Sequence, residues 1–420
     1  MRVITKLTII SALFSFVHSV YADDDIASRV KKLEDKAVLS GNQKIKLSGH
    51  LNRAALWLDN GHHSNVAYVD NDNSASRINL TGVANFNDDI DFGSVIEIGL
   101  MPNSSSKNDV HHAQSSHKSE QNFRVRIADV FMDNQKSGKL TLGHGDMASY
   151  YTMSENDFSG TRVVADGANV WEIAGGASFS EKSTKRNRKY FIERDLGEHH
   201  HKSSVFANVD GLGRHDRVRY DSPKYYGFQL STSHGYQSTG DLFDVAARFA
   251  GKFVGIRIGA SLAYENDHSV RHYGYKQING SLGLLLPLSL SNRQDAGISL
   301  SFAAAKRDWD AKLQRNGHFI HGKIGYIDRY FFFGNTAFAV DYADSKNITR
   351  AIADTRGSHN FAPTINQKGH SWGAFLVQNV DVVASELFAG YRNFTYKRST
   401  SSRLRFHDIH AVMVGVRVKL

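Results

Sequence analysis

Three short runs space like charges two residues apart. "RVRIADV" does so with Arg124 and Arg126, "DRVRYD" with Arg217 and Arg219, and "SENDF" with Glu155 and Asp157. In an extended chain, residues two apart share a face. Paired like charges do not make a nucleophile and its base; they make a field. Arginines and lysines ringing a narrow passage favour anions and raise their local concentration. The charge-bearing face of the alternating segments holds Lys46, Arg77, Arg124, Arg126, Arg217, Arg219, Arg248, Arg257, Lys323, Arg392, Arg417 and Lys419. Its clearest acids are Glu97, Asp244, Asp341 and Glu386, while Asp129 falls out of phase with its neighbours.

Other chemistries find less support. No GxSxG elbow and no HExxH motif occurs, although Ser, His and Asp are plentiful. The chain has 420 residues and no cysteine, which removes disulfides and thiolate metal sites. Histidines cluster in "DNGHH" (Asp59–His63), "HHAQSSH" (His111–His117) and "GEHHHK" (Gly197–Lys202). Adjacent histidines on a loop offer no fixed tetrahedral geometry, so no metal and no other cofactor is expected. Their charge would change as pH falls toward about 6.

The elements that must position these charges follow from periodicity. From Lys44 onward the dominant period is two. "IRIGASLAYE" sets Ile256, Ile258, Ala260, Leu262 and Tyr264 against Arg257, Gly259, Ser261 and Ala263. "AVMVGVRVKL" likewise sets Val412, Val414, Val416, Val418 and Leu420 against Met413, Gly415, Arg417 and Lys419. The alternating segments run to about ten residues, longer than most strands of soluble proteins. Tight turns such as "NDDID" (Asn87–Asp91) and "SPKYYG" (Ser222–Gly227) alternate with long polar excursions at Asp59–Ser76, Pro102–Gln121 and Asp344–Gly369. Aromatics gather at segment ends, among them Trp57, Phe92, Tyr225, Tyr226 and Tyr330–Phe333. Together these features predict an all-β fold, a transmembrane antiparallel β-barrel of about sixteen strands. The charged face then looks into water, because a charge facing lipid at mid-bilayer costs about 2–4 kcal/mol. One connection, about 146–214, is far longer than the rest. It is expected to fold inward as a constriction loop bearing Glu155, Asp157 and Asp166.

The N-terminus reads as an address. Arg2 and Lys6 flank an apolar core, "LTIISALFSFV", and "VYA" supplies a small-residue cleavage site. Residues 1–22 are therefore expected to be a cleaved signal peptide. The formal charge of +9 includes the two bases that would leave with it. Residues 23–43 form a short periplasmic lead-in. There Ile26, Val30, Leu33 and Ala37 have the spacing of a brief coiled coil. The barrel is expected over 44–420.

A family resemblance attaches to particular runs. "GKLTLGHGD", "DFSGTRVVA" and "VDGLGRHDRVRYDSPKYYGFQLSTSHGY" resemble the third-loop region of the Gram-negative general porins. "DVAARFAGKFVGIRIGASLAYE" and "WGAFLVQNVDVVASELFAGYRNF" resemble later hairpins of that family. The resemblance covers nearly all of the chain after the leader. It implies a homotrimer of sixteen-stranded outer-membrane barrels in contact with outer-membrane lipid and lipopolysaccharide. Each barrel would pass small hydrophilic solutes passively and bind no nucleic acid. It also implies an eyelet in which Glu155 and Asp157 face wall arginines at Arg124, Arg126, Arg217 and Arg219. The 180–203 insertion, the histidine-rich loops and Leu420, where the family pattern has an aromatic, depart from it. The charge balance adds an expected mild anion preference. The competing readings are a substrate-selective channel, a barrel enzyme and a surface adhesin.

Overall fold

A computed structural model of the chain describes residues 43–110, 123–174, 176–180, 182, 205–206, 208–237, 240–268, 274–287, 296–310, 315–349, 366–399 and 405–420. The leader, the possible coiled coil, most of the 180–203 insertion and the clusters at 111–117 and 197–202 lie outside the described residues.

The strands are, in order, β1 (Gln43–Asp59), β2 (Ser64–Asp70), β3 (Arg77–Asn87), β4 (Ile90–Leu100), β5 (Phe123–Asn134) and β6 (Gly138–Asp146). There follow β7 (Arg214–Asp221), β8 (Phe228–Gln237), β9 (Gly240–Phe253), β10 (Ile256–Asp267), β11 (Tyr275–Pro287) and β12 (Gly297–Trp309). The last are β13 (Gly317–Phe331), β14 (Gly334–Lys346), β15 (Asn366–Val380), β16 (Ser385–Ser399) and β17 (Ile409–Lys419). Apart from β2 and β3, neighbours in sequence pair antiparallel, and β1 pairs with β17 from His50↔Lys419 to Asp59↔His410. The sheet therefore closes on itself and leaves no edge.

Seventeen strands make sixteen staves. β2 and β3 both pair with β1 antiparallel, at its long-loop and short-turn ends respectively. They are one broken stave. Between them Asn71–Ser76 leaves the ladder and reaches into the lumen. Asn71 donates to the Val163 carbonyl at 2.6 Å, and the Asp166 N–H donates to Asn73 at 3.2 Å. The excursion expected over Asp59–Ser76 thus contains a strand, β2, held by β1 rather than by its own pattern. The sixteen staves match the count of about sixteen strands expected from the alternation.

Asp129 also finds its explanation here. In β5, Val125 pairs with Ile98 and Ile127 with Glu97, so Arg126 is an extra residue without an opposite number. Such a bulge flips the phase of everything beyond it. Phe123 and Val125 point to the outside before it, Val130 and Met132 after it. Asp129 consequently faces inward.

The outer face carries exposed apolar residues such as Leu51, Leu230, Leu262, Phe302 and Ile324, with Tyr225, Tyr226 and Phe332 at the short-turn rim. The buried apolar core lies inside the barrel. Loop residues Val163, Val164, Val170, Ile173 and Phe206 join inward-facing Leu56, Phe319, Phe375, Phe394 and Met413 in one cluster. The Phe206 and Phe394 rings meet at 5.6 Å. Each such side chain, fully buried, contributes about 1.5–3 kcal/mol. Inward folding of the long loop is therefore driven by apolar burial as well as by charge.

Closure has a narrow tolerance at Gly415 on β17. A Cβ there would lie 2.4 Å from the Arg53 carbonyl oxygen and 2.5 Å from the Phe388 ring. Gly415→Val is expected to part β1 from β17 and abolish the heat-stable barrel form on unboiled gels. Gly322→Val, where a Cβ meets nothing within 4 Å, is expected to leave that form intact.

Candidate functional site

The constriction loop is fastened at its root. The Ser149 N–H and hydroxyl donate to Asp244 Oδ2 at 2.7 and 2.6 Å, and the Ala148 N–H donates to the Ser233 hydroxyl at 2.8 Å. Arg248 donates to the Ala148 and Tyr150 carbonyls at 2.8 and 3.0 Å. The loop then crosses the wall where glycines leave room. Gly259 and Gly283 face one another on β10 and β11, and Asn156 fills the space above both. A Cβ on Gly283 would fall 1.8 Å from the Asn156 carbonyl oxygen.

Each acid expected at the constriction has a cation. Glu155 accepts from Arg248 Nε at 3.0 Å. Asp157 is bound by Lys323 Nζ at 2.7 Å, with the two side chains 3% and 0% exposed, and Lys323 also donates to the Ala165 carbonyl at 2.9 Å. Asp166 pairs within the loop with Arg162 at 2.9 Å. The ends of Glu155 and Asp157 are thus occupied by Arg248 and Lys323, not by the four arginines that the resemblance suggested.

Those arginines have partners of their own, with one exception. Arg217 grips the re-phased Asp129 through two bonds of 2.7 and 2.8 Å. Arg219 pairs with Asp221 at 2.8 Å and donates to the Asp146 and Met147 carbonyls. Arg126 and Arg77 share one acid, Glu97, at 2.5 and 3.5 Å. Arg124 is exposed and makes no ion pair among the described residues, as do Lys46 on β1 and Arg257 on β10. The Arg257 guanidinium stands 4.4 Å over the Phe158 ring of the loop. Arg392 is buried against Asp341 at 2.6 Å. Two cavities, about 430 and 230 Å³, share Lys139, Arg219 and Asp221 in their linings near the short-turn rim.

The sequence reading missed the apolar filling of the lumen. Its signal was present in runs such as "AALWL" and "GAFLV", apolar on both faces. Such runs mark strands covered on both sides. It also missed Asp210, a buried loop carboxylate that accepts from the Met153 N–H at 2.7 Å and from the Ser154 hydroxyl. Burial pushes its pKa up to about 7, with help from Asp166 and against Arg162. Burial also raises Glu172 well above the carboxylate range, and it raises Asp72.

A sixteen-stave barrel with an inward loop and charged walls defines a membrane channel class. A family model described as Gram-negative porin matches residues 19–420, and the chain belongs to that family. Solved structures share the fold at low identity. The anion-selective porin from Comamonas acidovorans is 13% identical, with TM-score 0.57 and coverage of 90% of this chain and 100% of its own. The OmpT trimer form from Vibrio cholerae is 10% identical, with TM-score 0.53 over 90% and 100%. A complex of Salmonella typhi OmpF with daunomycin is 14% identical, with TM-score 0.51 over 90% and 98%. No curated protein sequence matches the chain.

Two outcomes test the fastening. Lys323→Met strands Asp157 as a buried, uncompensated carboxylate and is expected to cost about 3–5 kcal/mol. Adding Asp157→Leu should restore most of the lost melting temperature. Asp210, with its pKa raised, holds a proton in the folded loop that it would lose on exposure. Its contribution is full below about pH 4 and is lost as pH rises to about 7. Protease cleavage of the loop should therefore increase over that window in wild type, and Asp210→Asn should flatten the dependence.

Proposed function

We propose that the protein is an outer-membrane porin, a water-filled channel through which small hydrophilic solutes diffuse passively, with a mild anion preference. One observation carries the charge argument: the inward-facing charges that are both exposed and without an ion pair among the described residues include the cations Lys46, Arg124 and Arg257, whereas Asp210, Asp244 and Glu265, which also lack one, are buried. Glu97 answers two arginines, Glu386 answers both Arg417 and Lys419, and Lys46, Arg124 and Arg257 have no acid among the described residues. Uncompensated cations in a narrow aqueous passage favour anions. The name of the Comamonas acidovorans neighbour, an anion-selective porin, points the same way. Assembly as a homotrimer in contact with outer-membrane lipid and lipopolysaccharide belongs to the same reading. So does export by a cleaved leader.

A channel selective for one solute class is the second reading. The apolar cluster that fills part of the lumen favours it, because it narrows the free cross-section. Saturable conductance with increasing solute would distinguish it from a general pore.

Reconstitution into planar bilayers tests the proposal. Stepwise conductance is expected, with a reversal potential shifted toward anions in a salt gradient. Arg124→Gln combined with Arg257→Gln should move that potential toward cations. Absence of steps would end the channel reading; a cation-selective wild type would end only the charge argument.

A further inference from the structure

The cavity of about 430 Å³ at the short-turn rim holds charges that the wall does not use. The β5–β6 turn, the β7–β8 turn and the strand ends beside them line it. Arg219 and Asp221 belong to the lining but are already committed. Asp221 takes the Arg219 guanidinium at 2.8 Å and the Ser231 hydroxyl at 2.6 Å. Arg219 also donates to the Asp146 and Met147 carbonyls. The three other charges of the lining, Asp133, Lys139 and Lys224, have no ion pair among the described residues.

Nearby opposite charges do not quench them. Asp133 and Lys139 stand directly opposite one another on β5 and β6, and Lys139 stands opposite Asp221 on β7. Lys139 nevertheless holds its ammonium over the Phe131 ring, 3.8 Å from the centroid. Asp133 and Lys139 are half-buried on the inward side of their strands, between the exposed, outward-facing Met132 and Leu140 and their turn. Lys224 is exposed on its own turn. Lys136, in the same β5–β6 turn but outside the cavity, behaves otherwise and pairs with Asp89 at 2.5 Å.

Resting on the channel reading above, we infer that this cavity is a subsite for small amino dicarboxylates, solutes with two carboxylates and one ammonium. Two ammoniums and one carboxylate are left over around one space, and such a solute carries the complementary set. Its carboxylates meet Lys139 and Lys224, and its ammonium meets Asp133. Asn134 and Gln229 add neutral hydrogen-bonding groups to the same lining. Hydrogen bonds with a charged donor or acceptor are about twice as strong as neutral ones, so the solute's three charged groups decide retention. A general surplus of cations would draw any anion; Asp133 adds a demand for an ammonium. The subsite thus discriminates among anions that the rest of the passage treats alike.

The test titrates the full barrel in detergent, at constant ionic strength, with three probes and reads binding by ligand-observed NMR. L-Glutamate has the full set of groups, glutarate lacks the ammonium, and 4-aminobutyrate lacks one carboxylate. Wild type is expected to bind glutamate at least fivefold more tightly than either of the others. Asp133→Asn should bring glutamate down to the level of glutarate without weakening glutarate. Lys139→Gln should weaken glutamate and glutarate alike, at least fivefold. Lys136→Gln, which removes the same charge outside the cavity, should change neither. Equal binding of glutamate and glutarate by wild type, no binding of glutamate, or an unchanged ratio in Asp133→Asn would overturn the inference. The variants should keep the heat-stable barrel form. Wild-type conductance steps without glutamate preference would end this inference alone, whereas absence of steps would end the channel reading beneath it.

Discussion

Hydrocarbon offers no partner to a backbone N–H or carbonyl, and this constraint governs the molecule. A sheet can meet it only by closing, which the β1–β17 pairing does. Closure in turn gives every strand two unlike surroundings. Alternation, the turn toward water of nearly all charged residues and the position of the long loop all follow from that division. A wide barrel leaves an interior that wall side chains cannot fill. Here a loop of the same chain enters it, rooted by Asp244 and Arg248 and seated on Gly259 and Gly283.

The interior is consequently divided. On one side the loop and the wall around Leu56, Phe319, Phe375 and Phe394 share an apolar core like that of a soluble domain. On the other side charged residues stand mostly in pairs, while Lys46, Arg124 and Arg257 are exposed with no ion pair among the described residues. The loop's acids are not a free ring of negative charge. Glu155, Asp157 and Asp166 are each held by a cation.

The strands were legible because lipid and water impose opposite chemistry on successive residues. What escaped were features set by contacts distant in sequence. Asp129 could not be phased, because the bulge at Arg126 is defined by how β5 meets β4 and not by β5 alone. β2 is short and reads as loop; β1 makes it a strand. The bases of the wall were recognised as inward-facing, but their partners were not. Lys323 and Asp157 stand far apart along the chain, and no local pattern joins them.

The pairing of Lys323 with Asp157 has an evolutionary consequence. The same bond neutralises two buried charges and holds the loop to the wall. A lineage cannot reverse one sign without first loosening the structure that gives the charge its position. Changes at these two sites must arrive together or pass through a neutral intermediate. Selectivity in this barrel should drift most readily at Lys46 and Arg124, whose charges meet no acid among the described residues.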